Sequence, residues 1–155
     1  MIGNVTTGKN FGGLIGYLLK KGHQCSILGG NVLGRTPKEI RQEFEQCNRL
    51  ARHIGKPCMH VSLSARPGER IDRQQWLAMG RDYLRLMSID PDKHLYLIVE
   101  HRDRPHPHVH LIISRISTDG SVYHNHWDAY KTKAAAAILT EKYGLWPVPD
   151  GRSGT

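Results

Sequence analysis

The sequence lacks the marks of membrane and secreted proteins. No apolar run approaches the ~20 residues that a membrane-spanning helix requires. Residues 1–5 have neither the basic nor the apolar region of a secretion signal. The three cysteines, Cys25, Cys47 and Cys58, fit neither a disulfide framework nor a zinc-binding pattern, so we expect reduced and mostly buried thiols. Together these absences predict a cytoplasmic protein with no membrane insertion.

The chain also lacks internal repeats, low-complexity tracts and linkers before its final segment. Its length of 155 residues is that of one domain. We therefore expect a single domain over residues 1–145, followed by a C-terminal tail over residues 146–155.

Basic residues outnumber acidic residues by 22 to 14, which gives a formal charge of +8 at pH 7. They are spread along the chain rather than gathered in a tail. Such a surface suits a polyanionic partner, because each neutralised phosphate releases condensed counterions. Many basic proteins bind no nucleic acid, so the charge alone leaves both possibilities open.

The apolar pattern mixes strands with helices. It predicts strands at 1–6 and 59–65, a helix at 10–21, and a strand with a turn at 25–33. The clearest helix is 37–54, where Thr36 is the N-cap, Pro37 is the first residue and Glu39 completes a capping box. A further helix begins after Asp72 and carries Trp76, Met79, Tyr83 and Met87.

Two more strands are predicted at 94–100 and 108–116, which are rich in β-branched and apolar residues. The two prolines between them exclude a central strand over 101–107 and favour an antiparallel pair joined by a loop. A turn at Asp119-Gly120 and a helix at 131–143 follow. Since strands and helices do not alternate regularly, we expect a two-layer α+β fold with a central antiparallel sheet of about five strands covered by helices.

Histidine is unusually frequent: the chain has ten, and seven of them fall between residues 94 and 126. Alternate residues of a strand project from one face, about 6.8 Å apart, so His108 and His110 can direct two imidazoles at one cation. A His-x-His pair is by itself more often a surface pair than a metal site. Here the preceding loop holds two more histidines, His101 and His106, and this clustering of donors favours a metal.

The third ligand stays open between His101 and His106. Three imidazoles leave coordination positions free, which suits a catalytic rather than a structural metal. Asp103 can orient a ligating imidazole through the second nitrogen of the ring. These residues predict a catalytic site for a divalent cation.

The histidine segment resembles the signature of the HUH endonuclease superfamily, through His101-Arg102-Asp103 and His106-Pro107-His108-Val109-His110. More narrowly, it is similar to the relaxases, the mobilisation nucleases of conjugative plasmids, in their MobP-like branch. Residues 8–18 resemble the N-terminal region of that family, which carries the nucleophilic tyrosine. Residues 60–69, His60-Val61-Ser62-Leu63-Ser64 followed by Pro67-Gly68-Glu69, resemble its second conserved stretch. The resemblance covers about residues 1–120.

This resemblance implies a relaxase-like palm and metal-dependent nicking of one DNA strand at a plasmid transfer origin, through a 5′-phosphotyrosine intermediate. Tyr17 would be the nucleophile. His101, His108 and His110 would bind the divalent ion, Mg²⁺ or Mn²⁺. Asp103 would be the carboxylate that orients a ligating histidine or acts as general base. His106 fits less well as the third ligand, because the loop histidine of the family precedes its aspartate.

A set of polar and basic residues near these motifs is expected to contact DNA: Lys20, Lys21, His60, Ser62, Ser64, Arg102, Arg104, Ser114 and Arg115. Solvated surface charge is the alternative for the arginines. Ser114 stands where many relatives have asparagine.

The resemblance also implies a bacterial, plasmid-encoded or mobile-element-encoded protein. Its substrate would be single-stranded DNA at a transfer origin, and its partners accessory relaxosome and coupling proteins. Three other functions stay open. A rolling-circle replication initiator places its tyrosine after the histidine motif, which would be Tyr130 or Tyr143 here. The others are a non-catalytic DNA-binding protein on the same fold and a metal-dependent hydrolase without a covalent intermediate.

Overall fold

A computed structural model of the chain describes residues 1–20 and 24–148. Within these ranges the elements follow one another as β1 (Ile2–Gly8), α1 (Phe11–Leu18), β2 (Cys25–Gly30), α2 (Pro37–Asn48), β3 (Cys58–Ser64), α3 (Arg73–Leu86), β4 (Tyr96–His101), β5 (His108–Ser114) and α4 (Asp128–Lys142). None of the helices in the described ranges combines the length and the apolar character needed to cross a membrane.

The strands form one five-stranded sheet in the order β1-β3-β5-β4-β2. Every hydrogen-bonded pair in it is antiparallel. The expected α+β fold, with an antiparallel sheet of about five strands covered by helices, is confirmed. The histidine-bearing strand β5 lies at the centre of the sheet, so its backbone hydrogen bonds are satisfied on both sides.

The main core lies on the face covered by α3 and α4. The alternation predicted for β3 is present, since Met59, Val61 and Leu63 are fully buried and their neighbours are partly exposed. Trp76 and Met79 of α3 pack in the same cluster, as their helical spacing predicts.

The opposite face is covered at one end only. There Phe11, Ile15 and Leu18 of α1 pack with α2 against apolar side chains of the sheet, and the rings of Phe11 and Phe44 stack 4.8 Å apart. The other end of this face carries the polar side chains of β1, β3 and β5, and no helix of residues 1–20 or 24–148 covers it. At the end with the polar residues, the protein has the two expected layers, the sheet and the helices α3 and α4. At the other end, α1 and α2 add a third layer.

Helix boundaries differ from the prediction most at α2, which ends at Asn48 rather than at residue 54. Beyond Asn48 the chain continues in tight turns, with hydrogen bonds from Ala51 to Asn48 and from Ile54 to Ala51. These turns keep Ala51 and Ile54 in an apolar cluster with Ile116. The helical spacing of apolar residues in the sequence therefore continues past the end of α2, which is why the predicted helix was too long. The capping box of α2 is half formed, since the carboxylate of Glu39 accepts from the backbone of Arg35.

Candidate metal centre and active-site cleft

The pairing of β4 with β5 places three histidines on one face of the sheet. His101 is the last residue of β4, not part of the loop as predicted, and it lies directly opposite His108. His110, two residues further along β5, projects from the same face as His108. Each of the three rings offers a nitrogen, and these nitrogens lie within 4.8 Å of one another. The cluster contains His101 and not His106.

The ring orientations of His101 and His108 are fixed by backbone hydrogen bonds. Nε2 of His101 donates to the carbonyl of Leu18 at 2.7 Å. Nδ1 of His108 donates to the carbonyl of His106 at 3.1 Å. A hydrogen bond on one nitrogen sets the tautomer and leaves the lone pair on the other, which is the usual arrangement of metal-ligating histidines.

His110 is oriented by a side chain instead. Its Nδ1 lies 2.9 Å from Nε2 of His60 on β3. Burial, together with the neighbouring His101 and His60, lowers the pKa of His110 to about 3. Burial also lowers the pKa of His108 and of His60. Because a metal binds the neutral imidazole, the three-nitrogen donor set fits a divalent cation.

One cleft of about 520 Å³ connects these histidines with the N-terminal tyrosine. The polar and charged residues that line it are Asn4, Tyr17, Ser62, Ser64, Arg66, His101, Asp103, Arg104, His106, His108 and His110. Tyr17 lies in the last turn of α1 and is 59% exposed. The next residue is Leu18, whose carbonyl binds His101, so the end of α1 is attached directly to the histidine cluster.

A family model described as the MobA/VirD2-like nuclease domain of relaxases matches residues 17–145. The chain belongs to this relaxase family. The matched range begins at Tyr17 and includes all three clustered histidines. No curated protein and no solved structure matches the chain significantly. The family resemblance inferred from the histidine motif is thus confirmed, and a relaxase nuclease domain is a DNA-nicking domain.

Asp103 of the relaxase domain lies beside the histidine cluster. Its Oδ1 is 3.5 Å from Nε2 of His108, and its side chain lines the cleft. A carboxylate at this position would attract a cation to the histidine cluster.

The residues expected to contact DNA lie in different surroundings. Ser62, Ser64 and Arg104 line the cleft, in which DNA contacts can be made. Arg102 is exposed and pairs with Glu100 at 3.2 Å.

Lys20 is exposed just after α1. Lys21 lies outside the described residues. His60 does not line the cleft, and its Nε2 lies 2.9 Å from Nδ1 of His110.

Ser114 and Arg115 do not reach the cleft. Ser114 is fully buried and its hydroxyl donates to the carbonyl of Ile116 at 2.7 Å. Arg115 is 8% exposed, and its guanidinium donates to the carbonyls of Tyr123 and Lys56 at 3.1 and 2.9 Å. Both side chains satisfy backbone carbonyls in the interior, so the expected DNA contacts of these two residues are not supported by their positions.

Sequence reasoning did not single out several cleft residues, among them Asn4, Arg66 and Val148. Arg66 had a signal, because it closely follows the exposed face of β3 in a segment that resembles the family. Asn4 had none, since only strand pairing places it opposite Ser62. Val148 belongs to residues 146–148, the described part of the expected tail, where Arg66 donates to the carbonyl of Pro147 at 3.1 Å.

The tyrosines that a replication initiator would use lie elsewhere. Tyr130 is 74% exposed on α4. The hydroxyl of Tyr143 donates to Asp82 at 2.6 Å. Within the described residues, Tyr17 is the tyrosine that shares a cleft with the histidines.

Proposed function

We propose that this relaxase domain nicks one strand of DNA by transesterification, with Tyr17 as the nucleophile. The observation that carries the proposal is the single cleft lined by Tyr17, Asp103 and the three clustered histidines. A nucleophile, a proton acceptor and a metal-binding group are the elements that such a reaction requires.

In the proposed reaction, the hydroxyl oxygen of Tyr17 attacks the phosphorus of a backbone phosphodiester. Asp103 takes the phenolic proton as general base. A new bond forms between the tyrosine oxygen and phosphorus, while the bond from phosphorus to the 3′-oxygen breaks. The 3′-oxygen leaves and takes up a proton, and the 5′-phosphate stays on Tyr17. Since one phosphoester replaces another, the same residues can run the step backwards and rejoin the ends.

His101, His108 and His110 would hold the divalent ion, Mg²⁺ or Mn²⁺. When bound, such an ion acts as a Lewis acid that polarises the phosphoryl oxygens and helps to orient the phosphate. Three neutral imidazoles suit Mn²⁺ better than Mg²⁺, because Mg²⁺ prefers a shell of oxygen ligands.

The DNA strand would lie along the uncovered end of the sheet. Arg66 and Arg104 are the cations of the cleft that can neutralise phosphates, and Asn4, Ser62 and Ser64 are its neutral hydrogen-bonding side chains. We further propose that the substrate is single-stranded DNA at a plasmid transfer origin. The domain would act there in the bacterial cytoplasm, together with accessory relaxosome and coupling proteins.

The proposal is tested with single-stranded oligonucleotides that tile the DNA around the gene, incubated with the protein and Mn²⁺ or Mg²⁺. A transesterase leaves a protein–DNA adduct that survives denaturing electrophoresis. We expect Tyr17→Phe to abolish the adduct while DNA binding is retained, and the exposed-tyrosine control Tyr130→Phe to form it normally. Free fragments without an adduct would indicate a hydrolase, and binding without cleavage a non-catalytic protein. Either result would refute the proposal.

A further inference from the structure

We infer that His60 is a positioning residue for the metal centre, which holds the ring of His110 with its second nitrogen toward the other ligands. The inference rests on the metal site of the proposed function. Nε2 of His60 lies 2.9 Å from Nδ1 of His110. The two rings stack, with centroids 5.1 Å apart and planes inclined by 29°.

Strand register explains how the contact arises. In the pairing of β3 with β5, Ser62 lies opposite His110 and His60 lies opposite Ile112. His60 is therefore the diagonal neighbour of His110 on the same face of the sheet, a separation that ring side chains can bridge.

The hydrogen bond restricts the protonation of both rings. A nitrogen that binds a metal carries no proton, so a ligating His110 keeps its proton on the other nitrogen, Nδ1. This N–H donates to Nε2 of His60, and His60 carries its own proton on Nδ1. His60 thereby selects the tautomer of His110 and fixes the direction of its lone pair.

His60 does not belong to the group of three clustered histidines, and it does not line the cleft. It therefore acts through His110 rather than on the substrate. The corresponding partners of His101 and His108 are backbone carbonyls, which a side-chain substitution can affect only indirectly, by moving the backbone. His60 is thus the partner that a single side-chain substitution removes directly.

The test compares His60→Leu, which fills the space without an acceptor, with His60→Gln, whose side-chain oxygen can accept the N–H of His110. His53→Ala is the matched control, because His53 is an exposed histidine on a turn outside the cleft. Affinities for Mn²⁺ and Co²⁺ are measured by calorimetry, and the ligand field by the visible absorption of bound Co²⁺.

Loss of such an outer partner weakens metal binding by ~10–100-fold. We expect a loss of this size and an altered Co²⁺ spectrum in His60→Leu. His60→Gln should retain most of the affinity, and His53→Ala should behave as the wild type.

Wild-type affinity in His60→Leu would overturn the inference and leave the metal site standing. Equal losses in His60→Leu and His60→Gln, with unchanged thermal unfolding, would also overturn it, because the hydrogen bond would then not be the cause. A wild-type protein that binds neither cation would remove the metal site and this inference together. Adduct formation by the wild type is assayed in parallel. A wild type that binds metal but forms no adduct would count against the nicking reaction and not against the positioning role of His60.

Discussion

Truncation of Leu18 is expected to weaken both folding and metal binding, because its side chain belongs to the apolar core and its carbonyl contacts the histidine cluster. Its side chain is fully buried where α1 and α2 pack on the sheet, and its carbonyl accepts the hydrogen bond of His101. Each buried methylene contributes ~0.8 kcal/mol, so the atoms lost in Leu18→Ala account for roughly 2.4 kcal/mol. The cavity left behind raises the expected loss of unfolding free energy to about 3–4 kcal/mol.

The matched control is Leu33→Ala, since Leu33 is 87% exposed and its truncation should cost no more than ~0.5 kcal/mol. Both variants and the wild type are unfolded by heat and by urea in the absence of metal. For a domain of this size, the loss in Leu18→Ala corresponds to a fall in Tm of roughly 10 °C. A loss below about 1 kcal/mol would refute the energetic role assigned to the buried side chain.

The second part of this prediction concerns the link between α1 and the histidine cluster. A displaced Leu18 carbonyl no longer holds the ring of His101, so Mn²⁺ affinity should fall by roughly tenfold. Adduct formation should slow as well, since Tyr17 precedes Leu18 at the end of the same helix. If Leu18→Ala is destabilised but binds Mn²⁺ as tightly as Leu33→Ala, the coupling between α1 and the metal site is refuted.

Three further predictions follow from the positions of single side chains. His108→Ala should lower Mn²⁺ affinity by more than ~100-fold, because it removes a ligand rather than the partner of one; unchanged affinity by calorimetry would remove the proposed site. Arg66→Ala should weaken binding of a single-stranded oligonucleotide and reduce the salt dependence of log K by about 0.7, whereas an unchanged slope would mean that Arg66 neutralises no phosphate. Cys25 should react with Ellman's reagent in the folded protein, but Cys47 and Cys58 only after unfolding, because burial raises the pKa of both thiols, that of Cys58 to about 12. Rapid reaction of all three thiols would contradict this burial.

Features that depend on neighbouring residues could be predicted from the sequence. Asp72 predicted the start of α3, where the structure has a complete capping box with Gln75. The period of two predicted that His108 and His110 share a face, because alternate side chains of any strand do so. The order of the motifs identified the relaxase family, which the match over residues 17–145 confirms.

Features that depend on residues distant in sequence could not be predicted in this way. Polarity suggested DNA contacts for Ser114 and Arg115. In the fold both side chains are buried and donate hydrogen bonds to backbone carbonyls. Exposure of a polar side chain is decided by what packs against it, and the chain segment around it does not contain that information. The same reason explains why His60 was expected along the DNA path and is found against His110.

By itself, the sequence determined the type of most elements, the donor chemistry of the histidine segment and the family. The tertiary structure decided that His101 completes the cluster, because antiparallel pairing sets it opposite His108. It also decided that Tyr17 shares their cleft, since the packing of α1 on the sheet fixes where that helix ends. Helical and strand periods are local properties of the chain, whereas the distance between residues far apart in sequence is set by register and packing.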